Sequence, residues 1–252
     1  APQLIHSSVI IIATAKIFFY KYRNGFWNLL FKLQKRCFYI CGVEKEKIEF
    51  ALSRLGKLMT HFGKSNDWTG FDLGITEEEH SSFNELIVRQ KHYNGWFTED
   101  MVRKSLFSLG GLLTENQLRD WTAEYDYQSE AKTVAVIMAG NIPLVGFHDF
   151  LCVLMSGNKG LAKLSSEDKY LLPALSEFLY VFEPELKERI AFSEGKISDF
   201  DVVIATGSDS GSAYFEQYFS SYPHIFRSNR TSIAILDGSE SKKDVELLAE
   251  DI

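Results

Sequence analysis

The sequence has few cysteines, no basic excess and no long apolar run. Three cysteines in 252 residues cannot build a disulfide framework, so a reducing compartment is the simpler setting, and the chain is expected to be cytoplasmic. The formal charge is −7, which argues against general nucleic-acid binding, because neutralising phosphates needs a basic surface. The apolar run from Val9 to Ala15 is cut short by Lys16, Lys21 and Arg23. A bilayer span needs about 20 apolar residues, so this run is too short to cross. It is no secretory signal either, because its positive charges follow the apolar run instead of preceding it. There is no GxGxxG, no Walker sequence and no HExxH. Cys37 and Cys41 lie one helical turn apart without a second ligand pair, and the six histidines are scattered, so no metal site is expected.

What is present divides unevenly. Residues 1–42 hold six basic residues and no Asp or Glu, leaving 21 of the 27 basic residues against all 34 acidic ones in the rest. The leader, residues 1–43, reads as a poorly ordered or non-native segment. A basic, aromatic membrane-surface helix is the alternative, although Asn24-Gly25 interrupts any long helix.

From Glu44 the pattern is globular. Residues 45–62 carry Ile48, Leu52, Leu55 and Met59 at helical spacing, and Gly63 reads as a stop. Thr76, Thr98 and Thr114 each precede acidic residues at a helix start, the first as a capping box. Residues 44–130 thus form a helical region. Residues 131–252 then alternate strands and helices, giving an α/β class with a parallel sheet. The apolar runs 133–138, 200–205 and 231–236 read as buried strands and 160–163 as a short one. Helices are expected over 145–155, 169–182, 213–221 and 241–251.

Several loops after these strands could carry chemistry. Asn141, in the turn after the first strand, has an amide able to donate to an oxyanion, or it simply makes the turn. Gly207 and Ser208 open a helix after a strand, as a phosphate site or an ordinary N-cap. Lys163, with Ser165 and Glu167 beyond it, could grip a nucleotide ribose or its 2′-phosphate, or be a snorkelling lysine beside a helix cap. Cys152 sits in an apolar stretch and reads as a buried, inert thiol, and His148 as structural. Asn229-Arg230-Thr231 matches a glycosylation sequon, relevant only to a secreted protein.

Order and spacing add what single motifs do not. The blocks TVAVIMAGNIPLVGFHDFLCVLMSGNKGLAKLSSED, DVVIATGSDSGSAYFEQYF and HIFRSNRTSIAILDGSE resemble the acyl-CoA reductases of bacterial bioluminescence, within the aldehyde dehydrogenase superfamily. The likeness runs from Glu44 to Ile252 and is strongest over 132–238. It implies an aldehyde dehydrogenase-like fold and NADPH-dependent reduction of fatty acyl-CoA to aldehyde through an acyl-enzyme thioester. Asn141 then matches the asparagine that stabilises the thiohemiacetal oxyanion. Lys163 matches the lysine at the adenine ribose, with Ser165 and Glu167 beside it, and Gly207-Ser208 match the pair at the helix facing the pyrophosphate. Hydrolytic relatives carry a water-activating Glu where this chain has Arg227, so hydrolysis of an acyl-enzyme is expected to be slow. The family's nucleophilic cysteine matches none of Cys37, Cys41 and Cys152 and is expected beyond Ile252, in a catalytic domain missing from this chain. The polypeptide is therefore expected to be a cofactor-binding portion that does not reduce acyl-CoA by itself. A nucleotide-binding module without chemistry is the alternative. Assembly with copies of itself or with other chains is left open.

Overall fold

The computed structural model describes residues 44–125, 127, 130–228, 236 and 238–250. Among the described residues four helices come first: α1 (Lys45–Lys64), α2 (Glu77–Tyr93), α3 (Glu99–Gly110) and α4 (Glu115–Thr122). The last three start at threonines. The hydroxyls of Thr76, Thr98 and Thr114 accept from the N–H groups of Glu79, Met101 and Gln117, satisfying donors that a helix start leaves without partners. Glu79 returns the bond by accepting the Thr76 N–H at 2.7 Å, which completes the expected capping box.

Gly63 does not stop α1, contrary to the expectation from sequence. The helix runs through it to Lys64, where the Ser65 N–H closes on the His61 carbonyl. The glycine serves packing instead. A Cβ on Gly63 would lie 2.6 Å from the Phe107 backbone nitrogen, and one on Gly56 would lie 2.6 Å from Leu113 Cβ. Two turns apart, these glycines let α3 and the turn after it lie directly against α1.

The sheet follows: β1 (Thr133–Ile137), α5 (Phe147–Met155), β2 (Lys159–Lys163), α6 (Leu171–Phe182), β3 (Ile190–Ser193), β4 (Val202–Thr206), α7 (Asp209–Phe219), β5 (His224–Arg227) and α8 (Lys242–Glu250). All five strands are parallel, in the order β3-β2-β1-β4-β5. Val134 of β1 pairs with Gly160 of β2 on one side and Val202 of β4 on the other. The chain therefore builds outward from β1 to β3, then crosses back and builds outward through β4 and β5. The reversal falls between β1 and β4, the place where open α/β sheets leave a crevice at the carboxyl ends of the strands. Neither β3 nor β5 was expected from the sequence. The expected strand over 231–236 falls largely on residues outside those described, as do the leader, Cys37, Cys41 and the sequon.

Alternation along β1 divides the core. Val134 and Val136 face one side, where α1, α5 and α6 contribute Leu52, Leu55, Phe150, Leu154 and Leu175. Ala135 faces the other, with Val203, Ile197 and the α7 residue Phe219. The helices α1–α4 and the first face of the sheet thus bury one continuous apolar cluster. No helix among the described residues is long and apolar enough to cross a membrane.

Candidate functional site

The carboxyl ends of β1, β2 and β4 carry Asn141, Lys163, Ser165, Glu167, Gly207 and Ser208. After β1 the chain turns through residues 140–144, leaving Asn141 exposed. Leu144 completes the turn at φ 60°, a left-handed conformation that costs a leucine about 1–2 kcal/mol. A buried carboxylate holds it there: the Leu144 N–H donates to Asp168 Oδ2 at 2.6 Å. The buried Asn94, at the C-terminal end of α2, donates its amide to the Gly140 carbonyl at 3.5 Å. Gly140 itself has no room for a side chain, because a Cβ would come 2.7 Å from Ser165 Cβ and 2.9 Å from Glu167 Cβ. The Asn141 turn is thereby pressed against the loop after β2.

That loop brings Ser165 and Glu167 to the same edge. The Ser165 hydroxyl accepts the Glu167 N–H at 3.3 Å. Lys163, paired across the sheet with Ile137 of β1 and Ser193 of β3, donates its Nζ to the Gly195 carbonyl at 2.9 Å. Beyond β4, Gly207 donates its N–H to the Arg227 carbonyl at 3.0 Å and packs against the Phe215 ring, which a Cβ would approach to 3.0 Å. Ser208 is the N-cap of α7, accepting the Gly211 N–H at 3.3 Å. A helix start carries four N–H groups without intrahelical partners, and this serine takes one of them.

Behind this edge lies a buried ion pair. Arg227, at the end of β5, places Nη1 2.9 Å from Asp149 Oδ1 on α5. The Thr206 hydroxyl, at the end of β4, donates to Asp149 Oδ2 at 3.3 Å. Burial alone would push the Asp149 carboxyl up. The hydrogen bond from His148 and the Arg227 guanidinium outweigh it and hold the group below its usual range. Arg227 is thus committed to holding α5 against β4 and β5. A guanidinium stays protonated and cannot serve as a base.

Cys152 lies one turn further along α5, its Sγ 3.6 Å from His148 Nδ1. Burial and the neighbouring Asp149 carboxylate push its thiol well above the ordinary value, which withholds the thiolate a nucleophile needs. Among the described residues, no three His, Cys, Asp or Glu side chains come together as a metal set.

Asp168, Asp149 and Asn94 were not singled out in the sequence. An acidic residue inside the apolar stretch FHDFLCVLM and an arginine ending HIFR were the available signals for the ion pair. Asp168 gave none, since its role depends on a turn formed elsewhere. Burial drives its pKa up to about 6 against the pull of the Leu144 N–H, and its Oδ1 has no hydrogen-bond partner.

Comparison with known proteins adds a family. The model of the acyl-CoA reductase (LuxC) family matches residues 76–252. A glyceraldehyde-3-phosphate dehydrogenase, GapN from Methanocaldococcus jannaschii, solved in complex with NADP, is similar at 12% identity and a TM-score of 0.47. The match covers 87% of this chain and 45% of that one. Proline utilization A, solved with proline bound in remote sites, is similar at 13% identity and a TM-score of 0.45, over 88% of this chain and 22% of that one. The chain therefore spans less than half the length of either structure. No curated protein matches the sequence.

Proposed function

Because the chain belongs to the acyl-CoA reductase (LuxC) family, we propose that it provides the cofactor-binding portion of an NADPH-dependent enzyme that reduces fatty acyl-CoA to aldehyde. The observation that carries this reading is convergence: the ends of β1, β2 and β4 bring Asn141, Lys163, Ser165, Glu167, Gly207 and Ser208 to one edge of the sheet. That edge is where the strand order reverses.

The donor set suits a dinucleotide. Gly207 carries no side chain at the head of α7, so backbone can approach a diphosphate beside the N–H groups of the first helical turn. Lys163 supplies a cation for the ribose side, and its present partner is a neutral carbonyl that a phosphate would outcompete. Ser165 and Glu167 offer acceptors for sugar hydroxyls. When bound, NADPH supplies the hydride. The chain's own residues do the rest. Asn141 donates its amide to the oxygen that gains charge as the acyl carbon is attacked, in the fixed turn held by Asp168 and Asn94. Arg227 supplies no base for water, which favours transfer and reduction of the acyl group over its hydrolysis. The thioester forms on a cysteine other than Cys152, whose thiol is buried and kept protonated.

Quenching of NADPH fluorescence on titration with the protein tests the cofactor site. Loss of the Lys163 charge in Lys163→Ala is expected to weaken binding about tenfold, the worth of one charge-assisted hydrogen bond. Equal affinity of the variant would remove Lys163 from the site, and no binding by the wild type would remove the site.

A further inference from the structure

Away from that edge, α1 and α2 meet through two imidazoles. His61 Nε2 lies 3.1 Å from His80 Nε2. At that distance one ring donates and the other accepts, and the neighbours fix which. Arg103 has only donors, and its Nη2 donates to Asn84 Oδ1 at 3.2 Å. The Asn84 NH2 is thereby turned to His80, donating to its carbonyl at 3.3 Å and lying 3.3 Å from Nδ1, the nearer ring nitrogen, and 3.5 Å from Nε2. His80 Nδ1 accepts, so the His80 proton is on Nε2 and is donated to His61 Nε2. His61 then carries its own proton on Nδ1. Arg103 is locked in turn, with Nε on Glu99 at 2.8 Å and Nη1 on the Phe62 carbonyl at 2.6 Å. The rings of Phe62 and Trp68 pack on His80 at 5.0 and 5.3 Å. The chain of bonds borders a cleft of about 550 Å3 whose lining includes Asn66, Ser81, Asn84 and Arg103. His61 is only half-buried, so solvent protons reach the pair.

We propose that the His61–His80 pair is an acid-released latch between α1 and α2. One shared proton joins the helices, and a second proton taken up by the pair parts them. The second proton comes from solvent and bonds to the lone pair of His61 Nε2. Both facing nitrogens then carry hydrogen, and the bond between them becomes a repulsion between N–H groups. Protonation of His80 at Nδ1 instead sets an N–H against the Asn84 NH2. Burial first, then the His61 ring and the Arg103 guanidinium on α3, hold His80 below 6.5; Glu77 on α2 and Asp67 in the α1–α2 connection pull the other way. The folded chain therefore binds fewer protons than the unfolded chain just below pH 6.5, and the latch loses stability as pH falls. What it holds is the helix whose far end, at Asn94, supports the turn at Gly140. A bridging metal ion is disfavoured by the same network. A ligating Nε2 must be free of its proton, and with Nδ1 accepting from Asn84 the proton of His80 sits on that atom.

Nitrogen-15 NMR of the histidine rings, with amide exchange across α2, tests the latch on the whole chain. At pH 8, His80 is expected as the Nε2–H tautomer and His61 as the Nδ1–H tautomer. The His80 ring should take up its second proton below pH 6.5, the value of a free imidazole. As pH falls below that value, exchange at residues 77–84 should rise severalfold beyond its intrinsic pH dependence. His61→Gln keeps an acceptor for His80 and leaves only the His80–Asn84 route, so the acid response of α2 should be smaller than in the wild type. An Nδ1–H tautomer at His80 overturns the proposal, and so does an unchanged acid response in His61→Gln. Added Zn2+ that shifts both Nε2 signals would replace the latch with a metal site. If the variant fails to fold, the wild-type tautomers alone decide.

Discussion

Replacing Asp168 with asparagine removes the charge of a buried carboxyl while keeping an oxygen to hold the Leu144 N–H. Burial raises the Asp168 pKa from 3.8 to about 6. A folded-state pKa above the unfolded one means that the folded chain binds more protons between those values. Stability is then full below about pH 4 and falls as pH rises through 6. The shift is about two units, and at about 1.36 kcal/mol per unit the charged carboxylate costs the fold roughly 3 kcal/mol at pH 8. An asparagine side chain cannot titrate, so the Asp168→Asn variant should lack this slope. Its amide NH2 takes the place of an oxygen that has no partner, which adds a pH-independent cost of about 1–3 kcal/mol. The decisive quantity is therefore the difference in unfolding free energy between variant and wild type, measured by urea denaturation followed by circular dichroism from pH 4.5 to 8. It should move in favour of the variant by roughly 2 kcal/mol across that range, the first ~1 kcal/mol of the change lying below pH 4.5. A difference that stays flat, or moves the other way, would refute the reasoning that this carboxyl is held against its own charge.

Two further perturbations probe other parts of the fold. Arg227→Met leaves Asp149 buried without its cation and should cost about 3–5 kcal/mol at pH 7. Adding Asp149→Leu should restore most of that loss; equally unstable single and double variants would show that the pair is not the cause. Gly63→Ala would force a Cβ to within 2.6 Å of the Phe107 backbone and should lower stability by about 1–3 kcal/mol, whereas Gly95→Ala, with open space around it, should be close to neutral. Thermal unfolding of the two alanine variants side by side checks this, and equal melting temperatures would contradict the close α1–α3 contact.

What could be read from sequence was what local bonding decides. Thr76, Thr98 and Thr114 mark helix starts because each hydroxyl reaches an N–H three residues on. β1 and β4 announce themselves because a strand covered on both faces has no polar positions. β3 and β5, four residues each, lie at the margins of the described sheet, where the apolar run is too short to stand out. Gly63 reads as a stop because its neighbour Phe107 belongs to another helix. The candidate residues Asn141, Lys163 and Ser208 were legible through the loops that follow strands. The groups that hold those loops, Asp168, Asn94 and Asp149, were not. Each acts on a partner far along the chain, and their burial follows from packing, with no local pattern to mark it.

The shared core of the helices and the sheet also bears on synthesis. Among the described elements α1 leaves the ribosome first, and α3 can cover part of it early. The apolar surface that it buries with α5 and α6 has no cover until those elements have been made. At roughly 5–20 residues per second, that surface stays open for on the order of ten seconds. During that interval the nascent helices are the part of this protein most in need of a chaperone, and the completion of α6 ends the exposure.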